Sequence, residues 1–227
     1  MSFTMRQLAT FQLSAYADNP ADGAFNVWVP ETPTNPVAYG LIYEPDETLI
    51  VLPGSKTPLD WLLDFFAMPC HSMNTYGRFS LHSGFLVGLG PVIAVLQAAL
   101  LSHGPKLLTI CGHSLGAARA AAAVLLSTDN TANLPLRFVG WGCPRIGDFN
   151  AWDYLAARCS TADLFINGFD PVPLLPLTLP RFPYASSPGL LRGKLCTTYL
   201  HIPPPIIDAV KVTAWHNMNL YHEGMPR

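Results

Sequence analysis

Residues 107–118 read LLTICGHSLGAA. An apolar run from Leu107 to Cys111 meets Gly112-His113-Ser114-Leu115-Gly116, and alanines follow at once. The pattern is a strand that turns directly into a helix, with a single serine at the turn. Such a turn forces the serine into strained backbone geometry. The helix also passes close to the neighbouring strands, so the residues two positions to either side must be very small. Gly112 and Gly116 meet that need. The Ser114 hydroxyl would then project from the carboxyl edge of a sheet. Leu115, opening the helix, offers beside it a backbone N–H that no intrahelical carbonyl can use. G-x-S-x-G alone is a weak signal. The strand before it and the alanine-rich helix after it make it a nucleophile elbow. The competing reading is a glycine-rich turn made only for packing.

Outward from this turn, short apolar runs alternate with helical patterns. Strands are expected at 37–43, 48–52, 106–111, 136–142 and 163–168, with a further one at 195–200. Helices are expected at 58–67, 83–102, 115–127 and 148–158. Strand and helix in alternation predict an α/β fold with a mostly parallel central sheet and helices on both faces. No repeat or linker divides residues 1–227, so a single domain is expected. Two segments break the rhythm. Residues 66–82 mix aromatics with Pro, Gly and Asn, as a surface flap would, and 171–193 hold too many prolines for a helix or central strand.

Composition narrows the function classes. Half of the 227 residues are hydrophobic and 12% are charged, which excludes a disordered chain. The net charge is −2 with no Lys/Arg cluster, so no nucleic-acid partner is expected. The first seventeen residues have apolar positions nearer helical spacing than the unbroken core of a signal peptide. Five cysteines, without CxxC or zinc spacing, read as mostly reduced, buried thiols. Both features point to a cytoplasmic protein. Phe85 to Leu101 is apolar apart from Gln97, but it carries Pro91, two glycines and no flanking cations. A helix packed on a sheet is expected there, not a membrane span.

A serine hydroxyl needs a base to take its proton, and the base needs an acid to orient it. In this kind of sheet the partners follow in the order Ser, Asp or Glu, His. Of the downstream acids, only Asp170, in FINGFDPVPLLP, lies just past a clear strand, where active-site groups of open α/β sheets gather. The bland alternative is that Asp170 only starts a turn before Pro171. His201, His216 and His222 all follow Asp170. Chain mechanics favour His216 and leave all three open.

Several stretches together resemble the class 3, fungal-type lipases of the α/β-hydrolase fold. They are LLTICGHSLGAA, GCPRIGD (142–148), NGFDPVPLLP (167–176) and HNMNLY (216–221), with LIVLPGSKTPLDWLLDF (49–65) and LHSGF (81–85) upstream. The resemblance runs from about residue 37 to 222, with six motifs in the family's order. It implies Ser114 as nucleophile and Asp170 as orienting acid, and it selects His216 as base because the family's histidine precedes a tyrosine, here Tyr221. It also implies an oxyanion hole formed by Ser55 and Leu115. Other family-marked residues have structural readings. Thr57, Pro58 and Asp60 suit a helix start, while His113 and His82 suit packing, hydrogen bonding or capping. Arg145 suits anchoring of a loop.

The expectation is therefore a lipase or esterase that cleaves acyl esters through an acyl-enzyme on Ser114, without metal or cofactor. Its partner would be an acyl-ester or lipid substrate, with transient contact to a lipid interface. Apolar segments at 65–79, 171–182 and 202–207 are candidates for the acyl pocket and lid. A phospholipase, a feruloyl-type esterase, a thioesterase, or a binding protein on the same fold are the rival readings.

Overall fold

The computed structural model describes residues 2–17, 20, 23–55, 73–102, 106–127, 135–176, 195–200 and 212–226. The expected helix at 58–67, with Thr57, Pro58 and Asp60, lies outside the described residues, as do His201 and most of the proposed acyl-pocket segments.

The chain opens with helix α1 (Met5–Ser14), started by a capping box in which Thr4 and Gln7 satisfy each other's backbone N–H groups. The strands are β1 (Val27–Val29), β2 (Tyr39–Tyr43), β3 (Glu47–Leu52), β4 (Met73–Tyr76), β5 (Phe79–His82), β6 (Leu107–His113), β7 (Leu136–Trp141), β8 (Thr161–Asn167) and β9 (Leu195–Leu200). Among the described residues the remaining α-helices are α2 (Gly90–Ser102), α3 (Leu115–Leu126), α4 (Phe149–Arg158) and α5 (Met218–Gly224). Seven strands form one sheet in the order β1-β2-β3-β6-β7-β8-β9. From β3 to β9 all neighbours are parallel, while β1 and β2 close one edge antiparallel. The mostly parallel α/β sheet is as the sequence pattern predicts.

Buried strands alternate between two cores, since successive side chains point to opposite faces. Ile50, Leu52, Leu108, Ile110, Leu136 and Phe138 face one side, packed under α2, α3 and α4. Leu49, Val51, Cys111, Val139 and Trp141 face the other, covered by α1 and α5 through Leu8, Met218 and Tyr221. The first residues are tied to the sheet by polar contacts. The Phe3 N–H donates to the buried Glu47 carboxylate at 2.5 Å, and Arg137 donates to the Phe3 carbonyl at 3.0 Å.

Two expectations need correction. The helix expected over 83–102 begins only at Gly90. Ser83–Phe85 is a separate 3₁₀ turn, and Gly88 at φ +70 interrupts the path, because a right-handed helix cannot run through a left-handed residue. Pro91 then sits in the helix's first turn, where its missing N–H leaves no bond unmade. At about 20 Å for thirteen residues, α2 is short of a bilayer. No helix among the described residues is long and apolar enough to cross a membrane. The second correction is to the flap at 66–82. Its described part, from Met73, is the hairpin β4–β5, turned at Gly77 and Arg78. Among the described residues Cys111 and Cys143 are buried free thiols, Cys159 is buried, and Cys196 is an exposed free thiol.

Candidate active site

The parallel register lines up the carboxyl ends of four strands. Leu52 lies opposite Gly112, His113 opposite Trp141, and Trp141 opposite Phe165. Loops leaving that edge carry Gly54 and Ser55 after β3, Ser114 after β6, Gly142 after β7 and Asp170 after β8. Ser114 adopts φ 58, ψ −127, and it alone among described non-glycine residues has positive φ. Such geometry costs about 1–3 kcal/mol and persists only where the surroundings impose it. The elbow's glycines are explained by close approach. A Cβ at Gly112 would strike the backbone of Gly116 and Ala117, and one at Gly116 would strike the carbonyls of Leu52 and Pro53. The alanine face of α3, fully buried from Ala120 to Ala123, lets this helix lie directly on the sheet.

Asp170 and His216 meet. Nδ1 of His216 lies 2.7 Å from Oδ2 of Asp170, with both side chains buried. Since a carboxylate can only accept, Nδ1 carries a proton, and in the neutral ring Nε2 then keeps its lone pair. That Nε2 is buried and makes no hydrogen bond among the described residues. The acid is itself held. Val172 N–H donates to Oδ1 at 2.9 Å, and the Tyr221 hydroxyl donates to Oδ2. Burial and the adjacent Asp170 charge push the Tyr221 phenol well above its ordinary pKa, so it stays a donor. Gly142, at φ +54, packs against the pair. A Cβ there would lie 2.7 Å from His216 Cε1 and 2.8 Å from Asp170 Oδ2.

Ser114 is buried at 4% exposure on the neighbouring loop, and no hydrogen bond joins its hydroxyl to His216. His113, the residue before Ser114, stacks its ring on that of His216 with centroids 4.5 Å apart. Burial, and then the neighbouring His216, depress the His113 pKa well below the usual histidine value, so this ring is neutral. An imidazolium formed on His216 would thus face no second cation. Gly54 lies against the serine, since a Cβ on it would come 2.9 Å from Ser114 Cβ. Ser55 follows it, half-buried. Leu115 is the first residue of α3, where backbone N–H groups lack intrahelical partners.

Rival assignments fall elsewhere. His222 pairs with Thr10 of α1 at 3.1 Å. Asp148 caps α4 through Ala151 N–H at 2.9 Å. His82 caps the Ser83–Phe85 turn through Gly84 N–H at 3.1 Å. Arg145 anchors its loop, donating to the Pro176 carbonyl at 3.1 Å. Sequence reasoning missed Tyr16, which meets both His113 and Gly54. No local signal marks a contact across 97 positions. It also missed α5, which Asn217 caps through Asn219 N–H at 2.9 Å; an asparagine before an apolar turn was the available signal. The apolar rim of the site includes Phe169, 72% exposed and edge-on to Trp215, and Leu174, 54% exposed. A cleft of about 630 Å³ walled by Trp28, Pro30, Pro36 and Pro53 borders Gly54.

This sheet, with an elbow serine at its carboxyl edge, defines an α/β-hydrolase. Residues 49–179, more than half of the sequence, match the model of the family Lipase (class 3). The chain belongs to the class 3 lipase family and is a carboxylic-ester hydrolase. Solved structures share the fold. The Rhizomucor miehei triacylglyceride lipase matches with a TM-score of 0.63 at 18% identity, over 76% of this chain and 73% of that one. A lipase from Rhizopus microsporus var. chinensis matches at 0.60 and 18%, over 78% and 71%. A further fungal lipase matches at 0.66 and 16%, over 88% and 80%. No curated protein matches the sequence.

Proposed function

We propose that Ser114, His216 and Asp170 are the catalytic triad of an acyl-ester hydrolase. The observation that carries this reading is the 2.7 Å Asp170–His216 bond, which leaves a buried, unbonded Nε2 on the ring beside the elbow loop. Nε2 takes the proton of the Ser114 hydroxyl as Oγ attacks the ester carbon. The N–H groups of Ser55 and Leu115 receive the oxyanion. The carbon–oxygen bond to the alcohol then breaks, and His216 returns the proton to the departing oxygen. Water, deprotonated by Nε2, attacks the acyl-enzyme, and the acid leaves as Ser114 regains its proton. Asp170 keeps the ring in the required tautomer and stabilises its charged form.

The substrate class we favour is an ester with an apolar acyl chain, met at a lipid surface. Phe169 and Leu174, exposed on either side of Asp170, support contact with such a surface. The proline- and tryptophan-walled cleft at Gly54 supports an apolar substrate portion. Hydrolysis of p-nitrophenyl esters from acetate to palmitate, with and without emulsified lipid, tests this. Turnover that rises from acetate to medium or long chains is expected. A strict preference for acetate, unaffected by emulsion, would contradict the lipid-surface part.

A further inference from the structure

Two side chains outside the triad connect the loops that carry it. Gly54 N–H donates to the Tyr16 hydroxyl oxygen at 2.8 Å, and that oxygen lies 2.7 Å from Nδ1 of His113. Nε2 of His113 lies 2.9 Å from the main-chain carbonyl of His216. A carbonyl only accepts, so Nε2 carries the proton. Burial keeps the His113 ring neutral, so Nδ1 has a lone pair and the Tyr16 hydroxyl must donate to it. Burial likewise pushes the Tyr16 phenol up, keeping it protonated. Every bond in the chain therefore has a fixed direction. It runs from Gly54 N–H to Tyr16, from Tyr16 O–H to His113, and from His113 N–H to His216 C=O.

We infer that Tyr16 and His113 are positioning residues for ester hydrolysis, setting the oxyanion loop at Gly54–Ser55 and the main chain of His216 relative to Ser114. This rests on the triad and oxyanion assignments proposed above. The physical reason is that adjacent peptide planes share a Cα. Fixing the Gly54 N–H limits the swing of the Ser55 N–H, and fixing the His216 carbonyl limits the swing of its ring. Donors aimed before the reaction begins need no reorganisation in the transition state. Tyr16 can act this way because it extends from an anchored helix. Gln12 on α1 donates to the Leu52 carbonyl at 3.1 Å, just ahead of the oxyanion loop.

Tyr16→Phe keeps the ring edge-on to His113 and removes only the hydroxyl. With p-nitrophenyl butyrate, kcat should fall at least tenfold while KM stays within twofold. Affinity for phenylboronic acid, which forms a tetrahedral adduct on an active serine, should fall by a similar factor. His113→Gln, which still offers an N–H toward His216, should retain at least fivefold more kcat than His113→Leu. That pair decides the matter if Tyr16→Phe does not fold. In the wild type, long-range proton–nitrogen NMR should find His113 protonated at Nε2 alone at neutral pH. Tyr16→Phe within twofold of wild type in both kcat and boronate affinity would overturn the proposal, as would equal Gln and Leu variants or a proton on Nδ1. A wild type without turnover would instead overturn the triad reading, while the tautomer would still decide the hydrogen-bond chain.

Discussion

The Tyr221 hydroxyl donates to the same Asp170 oxygen that holds Nδ1 of His216. It also accepts the Asn167 N–H at 3.0 Å, which ties the acid to the end of β8. Tyr221→Phe should therefore act mainly on stability. Unpairing a buried N–H and removing one donor from a carboxylate costs about 1–3 kcal/mol, readable by denaturant unfolding. Its kcat should fall less than tenfold because the Asp170–His216 bond survives. Asp170→Asn, which loses the tautomer control, should lower kcat by about 10⁴. Equal kcat losses in the two variants would mean that Tyr221 does more than hold the acid.

Gly142 offers a way to move the proposed base without touching a residue of the proposed triad. Alanine there meets a left-handed backbone and the His216 ring at 2.7 Å. The conformational strain costs about 1–2 kcal/mol. Displacing a catalytic group by about 1 Å can lower turnover by about 10². Gly142→Ala should accordingly keep a folded circular-dichroism spectrum while kcat drops by that order. Native turnover would show that the ring tolerates the added methyl.

Gly116→Val attacks the elbow through main chain, which cannot rotate aside as a side chain can. The new atoms would meet the Leu52 and Pro53 carbonyls. Overpacking of this kind costs about 1–3 kcal/mol, and more when backbone must shift. Thermal melts should place this variant well below Ala123→Gly, a change in the same helix expected to cost about 1 kcal/mol. A Gly116→Val melting temperature above that control would remove the close-approach explanation.

Stability should also respond to pH through His113. Its folded pKa is depressed by burial, so from the unfolded value of about 6.5 downward the unfolded chain binds a proton that the native state refuses. Stability is then lost as pH falls below about 6.5, at up to about 1.4 kcal/mol per pH unit from this residue. Above that range both states are neutral there and the contribution is flat. Urea midpoints from pH 5 to 8 for wild type and His113→Gln should differ in slope below 6.5. Parallel curves would contradict a neutral, buried His113.

The parts legible in the sequence were those whose cause is local. A clash between a helix and the strand beside it demands glycines two residues either side of Ser114, and no distant information is needed to see it. The apolar runs predict strand ends at 52, 111 and 168, within two residues of the observed Leu52, His113 and Asn167, so the loops carrying Ser55, Ser114 and Asp170 could be placed on one edge. The choice of His216 over His222 was different. They lie a few residues apart, and only tertiary packing separates them: His216 meets Asp170, while α5 against α1 turns His222 toward Thr10. Helix α2 is shorter than the apolar run predicts, because apolar composition does not register the left-handed turn at Gly88. Tyr16 was invisible for a stronger reason: its partners at 54 and 113 become neighbours only once α1 covers the sheet.

The triad assignment is tested most directly by an ethyl fluorophosphonate probe with the modified peptide located by mass spectrometry. Wild type should be phosphonylated once, on Ser114, in step with loss of p-nitrophenyl butyrate turnover. Ser114→Ala should take up no label, and His216→Ala should label far more slowly, with kcat for either variant down by about 10⁶. Label on another residue, or full turnover after Ser114 is removed, would contradict the assignment.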